Sequence, residues 1–180
     1  MKVYLYCTKN SPTIEMIDGK CYYMIHGKRN DLYCLNDKIV CSFDLNTVEE
    51  IYNSSIDIKN NYYNSDSFNE EKLLKNSCLT FEHLDNYLQG KIGYAWHIEN
   101  LEILEEPIDI LAKFYTRHVI DKYGISSCSM IMKAPKDWRY ARYLYGHDCI
   151  IMSVNSNELY KIINENKTII IKKSIPKEFK

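Results

Sequence analysis

Apolar and polar positions alternate along this chain in short runs, broken by polar stretches, which predicts many strands and few helices. Residues 2–7 alternate as a strand from the start, and residues 21–25 read as another, stopped by the polar run 26–31. In residues 38–44, Ile39, Cys41 and Phe43 fall on one face of a third strand. Residues 8–20, with Pro12 and Gly19, read as a loop, and residues 47–52 extend the sheet or begin a turn. Residues 53–77 are rich in Asn, Ser and Asp and read as a long loop or insertion with one short helix near 70–75.

The period changes after Thr80. Phe81, Leu84, Tyr87 and Leu88 make a helical stripe, with Thr80 as cap and Gly90 as stop. Residues 92–98 return to strand, with Tyr94, Trp96 and Ile98 on one side, so core packing is the stronger reading for Trp96. After a kink at Glu99 and Asn100, residues 101–104 continue the strand, and Glu105 to Pro107 turn the chain. Ile110, Leu111, Phe114, His118 and Val119 predict a helix over 108–123, closed by Gly124. Residues 126–132 are a loop or short strand, and 134–140 a turn. The end of the sequence reads like the opening of a domain: an apolar run at 148–153, an amphipathic helix at 155–164 and a strand at 167–173. Without a βαβ rhythm, these elements predict an α+β domain around a small, strongly bent sheet.

Composition adds limits. At 180 residues and 46% hydrophobic, the chain suits one domain with a real core. A net charge of −1 gives no global field for nucleic acid and leaves only a local basic patch. The seven cysteines, at 7, 21, 34, 41, 78, 128 and 149, lack Cys-x-x-Cys spacing; reduced buried thiols, a cytoplasmic location and no metal or cofactor are the expectation. No apolar run is long enough to span a bilayer.

Several motifs carry a resemblance. LTFEHLDNYLQGK at 79–91, GYAWHI at 93–98 and the turn at Pro107 resemble the central part of ASCH-domain proteins, members of the PUA-like β-barrel superfamily found in bacteria and bacteriophages. APKDW at 134–138 looks like the segment that closes many members. The family's opening strand–helix–strand looks like residues 148–180, placed here at the end. The resemblance therefore implies a circularly permuted, PUA-like barrel with two to four flanking helices, residues 1–180 forming a single domain. Residues 53–77 would be an insertion, and residues 174–180 would run on to residues 1–7. It also implies that Lys167, in ENKTIIIK at 165–172, lies in the barrel cleft. Glu165 and Ile170 depart from the family pattern, which counts against catalysis.

The densest basic and aromatic cluster is Lys133, Lys136, Trp138, Arg139 and Arg142, interleaved with Tyr140, Tyr143 and Tyr145. Rings of this kind stack on bases while cations hold phosphates. Alternatively, Trp138 plugs the barrel and the charges are solvated. Lys167 and Lys172 join the candidate nucleic-acid contacts, although a lysine at 167 also suits the exposed start of a strand. The resemblance implies binding of RNA or a modified nucleobase. A second reading is a small amidohydrolase acting on an acylated nucleoside, with Lys167 and Glu82 at the scissile amide. A third is a phage-type accessory or anti-defence protein that acts by protein–protein contact. A monomer and a strand-exchanged dimer are both compatible with the sequence.

Overall fold

The computed structural model describes residues 1–8, 14–17, 20–23, 38–51, 70–117, 119–120, 122–124, 126–144 and 146–179. In chain order the elements are β1 (Lys2–Cys7), β2 (Ile14–Ile17), β3 (Lys20–Tyr23), β4 (Lys38–Asp44), β5 (Val48–Ile51), α1 (Glu70–Ser77) and α2 (Phe81–Leu88). There follow β6 (Gly93–His97), β7 (Glu99–Asp109), α3 (Ile110–Lys113), β8 (Phe114–Tyr115), β9 (Val119–Ile120) and β10 (Ser126–Ser127). Last come β11 (Trp138–Tyr143), β12 (Asp148–Val154), α4 (Ser156–Asn164), β13 (Ile169–Lys172) and a 3-10 turn at Lys177–Phe179. The fold is mixed α+β. Most of the expected insertion, residues 52–69, lies outside the described residues, as do His118 and Tyr145.

The chain divides into two compact units. The first, Met1–Asp44 with Asn100–Asn164, is built on a six-stranded sheet in the order β7-β4-β1-β12-β11-β8. β1 runs parallel to β12 and antiparallel to β4, with Tyr4 opposite Ile151 and Tyr6 opposite Ser153. Residues facing one another across a ladder share a face of the sheet. On one face Val3, Leu5, Cys7, Cys41, Phe43, Ile150 and Met152 are fully buried. On the other, Tyr6, Ile39, Cys149 and Ile151 are buried with Ile110, Phe114 and Ile131. Ile39 does not share the face of Cys41 and Phe43, as expected from the alternation, because the β1–β4 register shifts between Leu5 and Tyr6. Covered on both sides, β1 and β12 read as almost continuous apolar runs, as interior parallel strands do. α4 lies against β3 and buries Leu159 and Ile162.

The second unit, Leu45–Glu99 with Glu165–Lys180, holds a three-stranded antiparallel sheet in the order β13-β6-β5. Ile51, Ala95, Ile169 and Ile171 share a face and are buried with Leu73 of α1 and with Leu84 and Leu88 of α2. The Thr80 hydroxyl caps α2 by accepting from the His83 N–H at 3.2 Å, and Gln89 ends the helix in the left-handed region. Gly93 gives α2 its close approach, because a Cβ there would stand 2.7 Å from Leu88 Cδ2. Trp96 is fully buried, in agreement with a core role.

Several expectations are corrected. Among the described residues no sheet closes into a barrel. The strand–helix–strand expected at 148–173 forms, but β12 belongs to the six-stranded sheet and β13 to the three-stranded one, so β1 has β12 as neighbour and not β13. The predicted helix over 108–123 stops at Lys113, where Phe114 turns extended (φ −118°, ψ 138°) and pairs with Tyr143 as part of β8. Aromatic and β-branched residues follow, and a sheet edge holds them better than a helix would. Residues 105–107 do not turn: they lie within β7, and Pro107 is tolerated because β7 is an edge strand. Residues 8–20 are not all loop, since β2 and β3 pair antiparallel. Trp138 and Tyr140 stand in β11, where a turn was expected.

Candidate nucleic-acid interface

β11 carries most of the predicted cluster. Its ladder with β12 sets Trp138 opposite Met152, Tyr140 opposite Ile150 and Arg142 opposite Asp148. Strand alternation therefore puts Trp138, Tyr140 and Arg142 on one face and Arg139, Ala141 and Tyr143 on the other. Tyr143 belongs to structure: it stacks on Tyr4 at 5.4 Å and packs against Phe114 at 5.2 Å. Burial pushes the Tyr4 hydroxyl up to about 12, with the neighbouring Cys149 adding to the shift.

The face of Trp138 is half-buried and has a definite geometry. The Trp138 ring meets Tyr140 edge-on, with centroids 5.5 Å apart and an interplanar angle of 86°. The guanidinium of Arg117, just beyond β8, lies 3.9 Å from the centroid of Tyr140, within range of a cation–π contact. Asp148 aligns both arginines: its Oδ2 is 3.0 Å from Arg117 Nε and its Oδ1 is 3.2 Å from Arg142 Nε. Two guanidinium groups around one carboxylate leave a net positive charge beside two aromatic rings. Sequence reasoning missed Arg117 and Asp148, because Arg117 fell within a predicted helix. The available signal was the pairing of Arg142 with Asp148 across a short hairpin, a favourable cross-strand pair.

The surrounding segment is strongly biased. Lys113, Arg117, Lys122, Lys133, Lys136, Arg139 and Arg142 stand against Asp121 and Asp137, a net of +5 over residues 113–142 in a chain of −1 overall. Lys136 is exposed in the loop before β11, and Arg139 is half-buried on the opposite face. Lys133 is exposed and lines a pocket of about 480 Å³ in the same unit. That pocket opens at the carboxyl ends of β1 and β12, where Thr8 and Ser153 stand, below Asp109 and Leu111 at the start of α3.

The other predicted site residues belong to the second unit. Lys167 is 3% exposed and Lys172 8% exposed, so both are buried. Lys172 shares a strand face with Ile170 and Trp96. Glu82 is exposed in the first turn of α2. Among the described residues, no group of three or more His, Cys, Asp or Glu side chains could hold a metal ion, and no helix is long and apolar enough to cross a membrane.

The structure thus defines a mixed α+β chain of two units, one of which presents a cationic and aromatic strand face. Compared with protein-family models, curated proteins and solved structures, the chain matches none of them.

Proposed function

We propose that the first unit binds single-stranded RNA or an unpaired nucleobase on the face of β11. The observation that carries this is the Arg117 guanidinium laid on Tyr140 beside Trp138, in a segment of net charge +5. A half-buried aromatic ring such as Trp138 can stack on a base, and the flanking lysines and arginines neutralise phosphates. Asp148 pre-aligns the guanidinium groups, which reduces the side-chain ordering that binding would otherwise require. The proposal does not use Lys167 or Lys172, which are buried. RNA or nucleobase binding is also what the ASCH-type resemblance implies. We include that PUA-like relationship in the proposal, supported by the succession of α2 and β6, and of β12, α4 and β13, where the motifs place them.

The test is anisotropy of a fluorescent single-stranded RNA across a salt series. Log K should fall linearly with log salt, and Lys136→Gln should lower the slope by about 0.7, the value for one phosphate contact on a single strand. The absence of saturable binding at about 50 mM salt would overturn the proposal.

A further inference from the structure

The pocket in the first unit has a pattern of charge that the β11 face does not use. It lies outside the carboxyl ends of two adjacent parallel strands, held together where the Thr8 N–H donates to Val154 O at 3.2 Å. Crevices of this kind are common ligand sites in sheets with parallel strands. Its volume of about 480 Å³ is within the range of sites for small organic ligands.

Two opposite charges line it. The Asp109 Oδ1 accepts from the Leu111 N–H at 2.9 Å, which fixes the carboxylate at the start of α3 and leaves the second oxygen available. Lys133, an exposed lysine, lines the same pocket, and no ion pair joins it to Asp109. The Ser153 hydroxyl donates to Pro135 O at 2.6 Å and keeps its lone pairs as acceptors. The lining also includes apolar side chains, with Leu111 40% and Met132 67% exposed. Apolar side chains this exposed beside a pocket favour an occupant with an apolar body.

We propose that this pocket binds a small zwitterion with an apolar body, an α-amino acid or a dipeptide. The ligand's ammonium is held by Asp109, its carboxylate by Lys133, and its side chain by Leu111 and Met132. A ligand of one sign would satisfy one charge and meet repulsion from the other, whereas a zwitterion satisfies both. The two sources share this chemistry and differ in the distance between their charges.

The experiment is isothermal titration of the full chain with L-phenylalanine and with L-phenylalanyl-L-leucine. Two single-charge analogues follow, phenethylamine and hydrocinnamate. One of the two zwitterions should saturate, and each analogue should bind about ten-fold more weakly or worse, as expected for the loss of a charge-assisted hydrogen bond. Lys133→Gln should weaken the zwitterion by a similar factor and, by removing a like charge, bind phenethylamine at least as tightly as the parent does. Asp109→Asn, which keeps an acceptor for the Leu111 N–H and so preserves α3, should weaken the zwitterion and bind hydrocinnamate at least as tightly as the parent does. The proposal is overturned if neither zwitterion saturates, if an analogue binds as tightly, or if both variants bind within about two-fold of the parent. Tighter binding of adenosine monophosphate than of either zwitterion also overturns it.

Discussion

Replacing Trp138 with leucine isolates the stacking part of the proposed RNA site. Leucine keeps apolar bulk at a half-buried position but removes the π-face. Stacking of one base on an aromatic side chain is worth about 1–3 kcal/mol, so affinity should fall by roughly 5- to 150-fold. The cost to the fold is smaller. The edge-on contact with Tyr140 at 5.5 Å contributes about 0.5–1.5 kcal/mol beyond burial, and the ladder between β11 and β12 is unaffected. The assay is anisotropy with a labelled oligouridine of about twelve nucleotides, run beside a urea unfolding curve. Intrinsic fluorescence supplies an internal check. The chain has two tryptophans, and Trp96 is fully buried, so quenching by RNA should come from Trp138 and vanish in the variant. If Trp138→Leu binds RNA within a factor of about two of the parent, the stacking role of β11 is wrong.

Three further outcomes test the fold. Thr80→Ala removes the cap that accepts from the His83 N–H and should cost about 1 kcal/mol in urea unfolding, while Thr80→Ser should restore most of it. Gly93→Ala drives a Cβ to 2.7 Å from Leu88 Cδ2, in a fully buried side chain, and should destabilise by about 1–3 kcal/mol; near-neutral stability would show that Leu88 has room to move. Burial, and then the Asp148 charge, push the Cys149 thiol up from 9.0 to about 12. Its folded pKa is raised, so its contribution to stability is complete below pH 9.0 and is lost as pH rises toward about 12; Tyr4, raised from 10.0 to about 12, acts in the same direction. Melting temperatures measured from pH 8 upward should therefore fall on the alkaline side, and an unchanged melting temperature there would refute the assignment.

Much of the local structure was legible because it depends on neighbours in sequence. The strands β1 and β4, the apolar run of β12, the Thr80 cap and the buried pair Leu84 and Leu88 of α2 follow from side-chain spacing, whereas Phe81 and Tyr87 of the same stripe are exposed and Ile39 leaves the face of Cys41 and Phe43. The basic and aromatic cluster was legible too, as a matter of composition. Its arrangement was not, since β11 is half-buried on both faces, which blurs the alternation that marks a strand with one solvated face. Only the ladder to β12 separates Trp138, Tyr140 and Arg142 from Arg139, and only the pairing of Phe114 with Tyr143 takes Arg117 out of a helix and sets it over Tyr140.

The tail shows the same division. Its strand, helix and strand formed where the hydrophobic pattern placed them, because that pattern is a local property. Which sheet each strand joined was decided by contacts far apart in sequence: Tyr4 with Ile151 in one sheet, and Ala95 with Ile171 in the other. Lys167, expected at the start of that strand, lies before β13 and is buried, and local pattern does not say what covers a side chain. The sequence alone determined the strongly patterned elements, β1, α2, β6, β12 and α4, and the residue types available for chemistry. The tertiary structure decided pairing, burial and the meeting of Arg117 with Tyr140, because those depend on which distant surfaces exclude water together.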